Sequence, residues 1–244
     1  MTATLFIADL HLTPERPGAA ASFRSFLEQR AVHADALYLL GDLFEAWVGD
    51  DDLASPFNAV IAVALKQVSD AGVPVYFLPG NRDFLVGPGL ARAAGFSLLQ
   101  DPTCVDLYGT PTLLAHGDTW CTDDAPYQAF RAQVREPAWR ATFLDRSLAE
   151  RHAIAAALRE RSEQAKADKR PDIMDVNPVA VAEAFRHHGV SRIIHGHTHR
   201  PARHEHLIDD RSRERWVLPD WYDTSAGYLA CDATGCRAEV WSIL

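Results

Sequence analysis

Five apolar runs in this sequence each break off into a small polar cluster. The clusters are Asp9-Leu10-His11, Gly41-Asp42, Gly80-Asn81-Arg82-Asp83, His116-Gly117-Asp118 and Gly196-His197-Thr198-His199. Continuously apolar runs of strand length suit strands buried on both faces, and stretches of helical composition separate the first three. The pattern predicts βαβ units around a partly parallel sheet, an α/β (α+β) fold. It also places the clusters at the C-terminal ends of strands, where sites are built in such sheets.

In detail, residues 4–10, 36–44 and 73–83 read as strands, and 18–31 as a helix. Residues 55–72 read as a second helix, with Ser55 as N-cap, Pro56 in the first position and Gly72 as its stop. A strand is expected to end in residues 111–118. From about 123 to 170 the pattern is helical, with no strand signal. Residues 176–189 read as a helix capped by Asn177, 191–201 as a strand running into a loop, and the last forty or so residues as β-hairpins.

The chain has 244 residues, which suits one domain carrying an insertion at about 123–170. With 48% hydrophobic and 23% charged residues, wholesale disorder is excluded. The balance of 24 Lys+Arg against 33 Asp+Glu gives a net charge of −9, which argues against an electrostatic nucleic-acid binder. The four cysteines (Cys104, Cys121, Cys231, Cys236) lack metal-ribbon spacing. The start, MTATLFIADLHL, has no signal-peptide pattern, so the expectation is reduced thiols acting as small buried apolar groups. No apolar run is long enough to span a bilayer, and any membrane contact is expected to be peripheral.

Asp, Asn and His are hard or borderline ligands. Together they suit Mn, Fe, Zn or Mg rather than a metal bound by soft sulfur. In Asp9-x-His11, residues two apart leave an extended chain on the same side, so both can reach one ion. Glycines beside Asp42, Asn81, His116 and His197 permit tight turns at the strand ends. A single DxH or HxH is common by chance. Five such clusters in series are a much stronger signal.

The order D-x-H, G-D, G-N-R-D, H-G-D, G-H-x-H resembles the calcineurin-like metallophosphoesterases. That resemblance implies a sandwich of two β-sheets flanked by helices, with a dinuclear metal site at the strand ends. It places Asp9, His11 and His199 on one metal, Asn81, His116 and His197 on the second, and Asp42 as the bridge. Such a site activates a water and clamps phosphoryl oxygens during in-line attack.

Most of that family has GNH followed by an acid; this sequence has Gly80-Asn81-Arg82-Asp83. The usual His can act as a general acid. Arg82 cannot, because a guanidinium stays protonated, but it can stabilise charge developing on phosphoryl oxygens. An enzyme lacking that acid favours a leaving group that departs without a proton. A phosphate does so and an alkoxide does not, which favours cleavage of a P–O–P bond. The motifs IADLHL, LGDLFE, GNRDF and IHGHTHRP are similar to one branch, the UDP-2,3-diacylglucosamine hydrolases of lipid A biosynthesis. This likeness implies hydrolysis of UDP-2,3-diacylglucosamine to UMP and 2,3-diacylglucosamine 1-phosphate by water attacking the α-phosphorus. It further implies two Mn²⁺ per chain and a peripheral location on the cytoplasmic face of the inner membrane.

Residues 123–170 hold ten Lys+Arg against eight acids, net +2, so the rest of the chain carries −11. One reading is an amphipathic helical pair packed on the body. The other is a lid that offers acyl chains an apolar groove and an anionic headgroup basic side chains. The resemblance assigns substrate contacts to Asn81, Arg82, Asp124, Ser162, Lys166, Lys169 and His197, with Arg82 and Asp42 catalytic. His33, His152, His187 and His188 have no partners at ligand spacing, and His204 and His206 stand in a late charged hairpin. His195 is expected to be structural, and Asp50, Asp51 and Asp52 to form a solvated loop. Asp83 and Asp118 adjoin the ligands and are expected to orient them. The alternatives are a soluble nucleotide or cyclic-nucleotide phosphodiesterase, a non-catalytic scaffold and a nuclease. The scaffold would show a missing ligand, and none of the seven is missing.

Overall fold

The computed structural model describes residues 2–167, 171–223 and 225–242. In chain order it runs β1 (Thr4–Ile7), α1 (Pro17–Gln29), β2 (Ala36–Leu39), α2 (Pro56–Asp70), β3 (Val75–Phe77), α3 (Pro88–Ala94), β4 (Ser97–Leu98), β5 (Thr103–Leu107) and β6 (Thr110–Ala115). There follow α4 (Ala125–Arg135), α5 (Pro137–Leu144), α6 (Leu148–Ala167), α7 (Pro178–His188), β7 (Arg192–His195), β8 (Ala202–Ile208), β9 (Arg211–Val217), β10 (Ala226–Asp232) and β11 (Gly235–Trp241).

Two mixed sheets form the centre. One has the order β11-β10-β1-β2-β3-β4 and the other β5-β6-β7-β9-β8. Strands β1 to β4 run parallel, as the helix-separated apolar runs require, and β6, β7 and β9 are parallel in the second sheet. The hairpins β8–β9 and β10–β11 close the outer edges.

Side-chain alternation explains the layering. Phe6, Leu114, Ile194 and Leu229 point between the sheets and are buried there. Their neighbours face outward: Leu5 and Ile7 meet α1 and α2, while Leu113 and Ile193 meet Val181 and Phe185 of α7. Each central strand thus buries both faces, which is why the runs are apolar without a break. The result is an α/β sandwich.

The observed strands are shorter than the apolar runs. β1 stops at Ile7 because Asp9 takes φ 55°, and β2 stops at Leu39 ahead of Gly41 at φ 90°. Asn177 caps α7, accepting from the main-chain N–H of Val179 and Ala180, and Gly189 ends it at φ 63°. Ser55 occupies the cap position of α2, but its hydroxyl makes no capping bond.

Two expectations are corrected here. Cys231 and Cys236 form a disulfide, because the β10–β11 register sets them directly opposite; Cys104 and Cys121 are free thiols. Asp50, Asp51 and Asp52 open a 3-10 turn rather than a loop, and of the three only Asp51 is exposed to solvent. Asp50 accepts from the N–H of Gly87 and Gly89, Asp51 pairs with Arg151, and Asp52 is buried against His152. The backbone N–H groups and cations that hold these acids come from segments distant in sequence.

Candidate metal centre

Because β1, β2 and β3 are parallel in one sheet and β6 and β7 in the other, their C-terminal loops meet along one edge. Main-chain bonds lock them together: Asp9 N–H to Gly41 O at 3.1 Å, His11 N–H to Asp42 O at 2.9 Å, and Gly196 N–H to His116 O at 2.9 Å. The loops are strained. Asp9, His11, Asp42, His197 and His199 all have positive φ, between 48° and 70°. Non-glycine residues enter this region at a cost of about 1–2 kcal/mol each, so five together mark a place where side-chain aim overrides backbone comfort. The loops also approach too closely for side chains beside them. A Cβ on Gly41 would lie 2.6 Å from Gly80 Cα and from His116 Nδ1.

All seven residues expected as ligands come together. His11 Nε2 and His199 Nε2 face each other at 3.2 Å, and His199 Nε2 lies 3.7 Å from Asp9 Oδ1. That Asp9 oxygen is buried without a hydrogen-bond partner. Asn81 Oδ1 lies 2.9 Å from both His116 Nε2 and His197 Nδ1. Asp42 stands between the groups, with Oδ1 3.7 Å from His116 Nε2 and Oδ2 3.8 Å from His11 Nε2. Donor atoms about 2.1 Å from a common ion lie about 3 Å or slightly more from each other, which is the spacing seen. The atoms of Asp9, His11 and His199, and those of Asp9, Asp42 and His116, each fall within 4.8 Å of one another. Hard oxygens with imidazoles around an orphaned carboxylate oxygen fit a divalent cation.

The electrostatics agree. Burial pushes the Asp42 carboxyl up to about 7, with Asp83 and Asp9 adding to the effect and His116 opposing it. Burial drives His11 and His197 down to about 3. Burial works the same way on His116 and His199, but nearby carboxylates outweigh it. Asp42, Asp9 and Asp118 raise His116 to about 9, and Asp220 and Asp9 raise His199 to about 10. Against the effect of burial, the Asp9 carboxylate is held well below its ordinary range by His199, His116 and His11, so positive charge is favoured around it, as a divalent cation would supply.

A surrounding layer holds the donors. His116 Nδ1 donates to Leu40 O at 2.9 Å, which fixes the ring and turns Nε2 toward Asn81 and the donor cluster. Asp83 accepts from the N–H of Gly80, Asp42 and Leu43, tying the second loop to the third. His195 is a buried strut: Arg215 donates to its Nε2 at 3.0 Å, so its Nδ1 carries the proton and donates to Gly196 O at 2.8 Å. Asp220, 2.9 Å from His199 Nδ1, is the residue that sequence reasoning missed. It follows the last motif by some twenty residues in an irregular segment, and only the fold brings it to His199.

The expected substrate contacts are placed unevenly. Arg82 donates its main-chain N–H to Asp42 Oδ1 at 2.8 Å, and its guanidinium lies 3.8 Å from Glu45. Asp124 is buried and caps α4, accepting from the Tyr127 N–H at 3.2 Å. Ser162 is half-buried on α6. The Lys166 side chain and all of Lys169 lie outside the described residues. His152, set aside as lacking partners at ligand spacing, bonds Asp52 at 3.0 Å.

Residues 2–201 match the model of the calcineurin-like phosphoesterase family. A protein of Aromatoleum aromaticum named UDP-2,3-diacylglucosamine hydrolase is 52% identical over 231 residues, covering 95% of this chain and 94% of its own. Proteins of the same name from Stenotrophomonas maltophilia (52% over 239 residues, 95% of this chain and 96% of theirs) and Serratia proteamaculans (53% over 219 residues, 90% and 91%) match similarly. The chain belongs to the UDP-2,3-diacylglucosamine hydrolase family of the calcineurin-like phosphoesterases.

Proposed function

We propose that this chain hydrolyses the pyrophosphate bond of UDP-2,3-diacylglucosamine, giving UMP and 2,3-diacylglucosamine 1-phosphate, at a centre of two Mn²⁺. The observation that carries the reading is the donor cluster, in which Asp9, His11 and His199, and Asp9, Asp42 and His116, each lie close enough to share an ion and Asn81 Oδ1 meets His116 and His197, in a chain about half identical to proteins of that name. Asp9, His11 and His199 hold the first ion, Asn81, His116 and His197 the second, and Asp42 both. A metal pair supplies a nucleophile from bound water and clamps the phosphoryl oxygens. Asn81 and His197 also face the substrate.

Arg82 supplies fixed positive charge where the phosphoryl oxygens become more negative, and donates no proton to the leaving group. The departing β-phosphate needs none, which suits a P–O–P substrate. Asp124, Ser162, Lys166 and Lys169 contact the substrate from the helical side. Residues 123–170 act as a lid inserted in a single domain. A cavity of about 820 Å³, lined by Leu12, Pro14, Phe57, Ala155 and Ala156 and also by Glu45 and Arg159, offers apolar surface to acyl chains. Among the described residues no helix is long and apolar enough to cross a membrane. We place the protein peripherally on the cytoplasmic face of the inner membrane, where its substrate lies.

The test is UMP release from UDP-2,3-diacylglucosamine in detergent with Mn²⁺, beside bis-p-nitrophenyl phosphate and a cyclic nucleotide. Asp42→Ala should abolish release, and Arg82→Ala should lower kcat by about 10²–10³-fold. Turnover of the soluble diesters alone would overturn the substrate.

A further inference from the structure

Helix α4 grips the loops behind one of the two donor groups and not the other. Asp118, fully buried, receives three α4 side chains on one carboxylate oxygen: Arg131 Nε at 2.7 Å, Tyr127 Oη at 2.8 Å and Arg135 Nη2 at 3.5 Å. Gln128 donates to the Asp118 carbonyl at 2.8 Å. Positions 127, 128, 131 and 135 share one helical face. Arg131 also lies 3.7 Å from Asp101, whose carboxylate accepts the His116 N–H at 3.2 Å. Arg135 donates to Gly80 O, beside Asn81, at 3.1 Å. The Tyr127 ring lies against that of His197, with centroids 5.9 Å apart.

Asn81, His116 and His197 are therefore each braced by α4, directly or through the adjoining peptide. Among the described residues, no such hydrogen bond, ion pair or ring contact runs from α4 to Asp9, His11 or His199. The helix has little else to hold it, since Val134 is its one buried residue.

We propose that Tyr127, Arg131 and Arg135 are positioning residues for the second donor group, so that the seating of α4 and a divalent ion at Asn81, His116 and His197 are coupled. The coupling is reciprocal: an ion there holds α4 down, and loosening α4 weakens the ion. It rests on the reading of those three residues as one metal's ligands.

Mn²⁺ titration calorimetry and hydrogen exchange of the whole protein test it, using Arg131→Met, Tyr127→Phe and Arg131→Lys. Arg131 and Tyr127 are only partly buried and belong to none of the apolar clusters, so these changes spare the core. In the wild type, two ions bind and Mn²⁺ slows exchange of the α4 amides. In Arg131→Met the second ion weakens by about 10- to 100-fold, the first is unchanged, and the α4 protection is lost. Tyr127→Phe moves both readouts the same way, and Arg131→Lys recovers part of the loss. A role confined to stability would leave the second affinity where it was. The coupling is overturned if Arg131→Met and Tyr127→Phe bind both ions as the wild type does, or if Mn²⁺ leaves α4 exchange unaltered. A wild type that binds a single ion sinks the two-group reading itself, and the coupling with it.

Discussion

Gly196 separates two costs that glycine substitution usually mixes. A methyl group there would overlap Asp9 Oδ2 and sit 2.7 Å from Ala8 Cβ. Asp9 and Ala8 are both fully buried, so neither can swing aside. Yet Gly196 is not among the glycines with positive φ, so alanine meets no backbone penalty. The cost is steric and falls on a donor. Overpacking, plus the bond from the His197 N–H to the Asp9 carboxylate, amounts to roughly 3–5 kcal/mol. Gly189 is the opposite case. Its φ is 63° and nothing lies within 4 Å of its would-be Cβ, so alanine there costs backbone strain alone, about 1–2 kcal/mol. At about 2–4 °C per kcal/mol for a chain of this size, Gly189→Ala should melt roughly 2–8 °C lower and Gly196→Ala roughly 6–20 °C lower. The deciding assay is Mn²⁺ titration at a temperature where both variants are folded. Gly189→Ala should bind as the wild type does, and Gly196→Ala should lose the ion proposed for Asp9, His11 and His199. Wild-type Mn²⁺ affinity in Gly196→Ala would refute the reasoning.

Asp220→Asn keeps the shape of the partner to His199 Nδ1 but removes its charge. The difference between a charged and a neutral hydrogen bond, about 1–1.5 kcal/mol, should weaken the first ion about tenfold by calorimetry. Arg151 is buried and donates to Val48 O at 2.6 Å, to Arg146 O at 3.1 Å and to Asp51. Arg151→Met should cost about 1.5–3 kcal/mol in urea unfolding, since Asp51 stays solvated, and should speed exchange of the α6 amides. Removing metal with a chelator should lower the melting temperature, because Mn²⁺ at a hundred times its Kd adds about 2.7 kcal/mol to the folded state. No shift on chelation would count against a bound ion.

The parts of this molecule that could be read from sequence follow from strand burial. β1, β7 and the last four residues of β6 lie buried on both faces, and β2 and β3 are apolar throughout with only Ala36, Tyr38 and Tyr76 partly exposed, so the polar residues that end each run stand out. Other features are set by partners far along the chain. Nothing near Asp220 announces His199, and nothing near Asp50, Asp51 and Asp52 announces Gly87, Arg151 or His152. Positive φ at Asp9, His11, Asp42, His197 and His199 is not announced by the sequence, since Asp and His enter that region more readily than most side chains but still rarely. The Cys231–Cys236 pairing has a local cause, since residues 232–235 form the turn of the β10–β11 hairpin and its register sets the two cysteines opposite.

Charge and burial together show how the helical segment is held. Its bases meet acids on the loops of the body: Arg151 on Asp51, His152 on Asp52, Arg159 on Glu45 and Arg131 on Asp118. These contacts are unequal. At the start of α6, Arg151 is buried, and Leu148, Ile154 and Ala155 pack on the helix-side core. Further along, Arg159 is half exposed, and its pair with Glu45 is of the kind that solvent and salt weaken. Among the described side chains, burial therefore holds the first half of α6, and a screened ion pair is what the second half shows. Ser162 and Lys166 stand on that second half. If the segment moves, the proposed contacts Ser162 and Lys166 travel with the screened half, while the buried half stays in place.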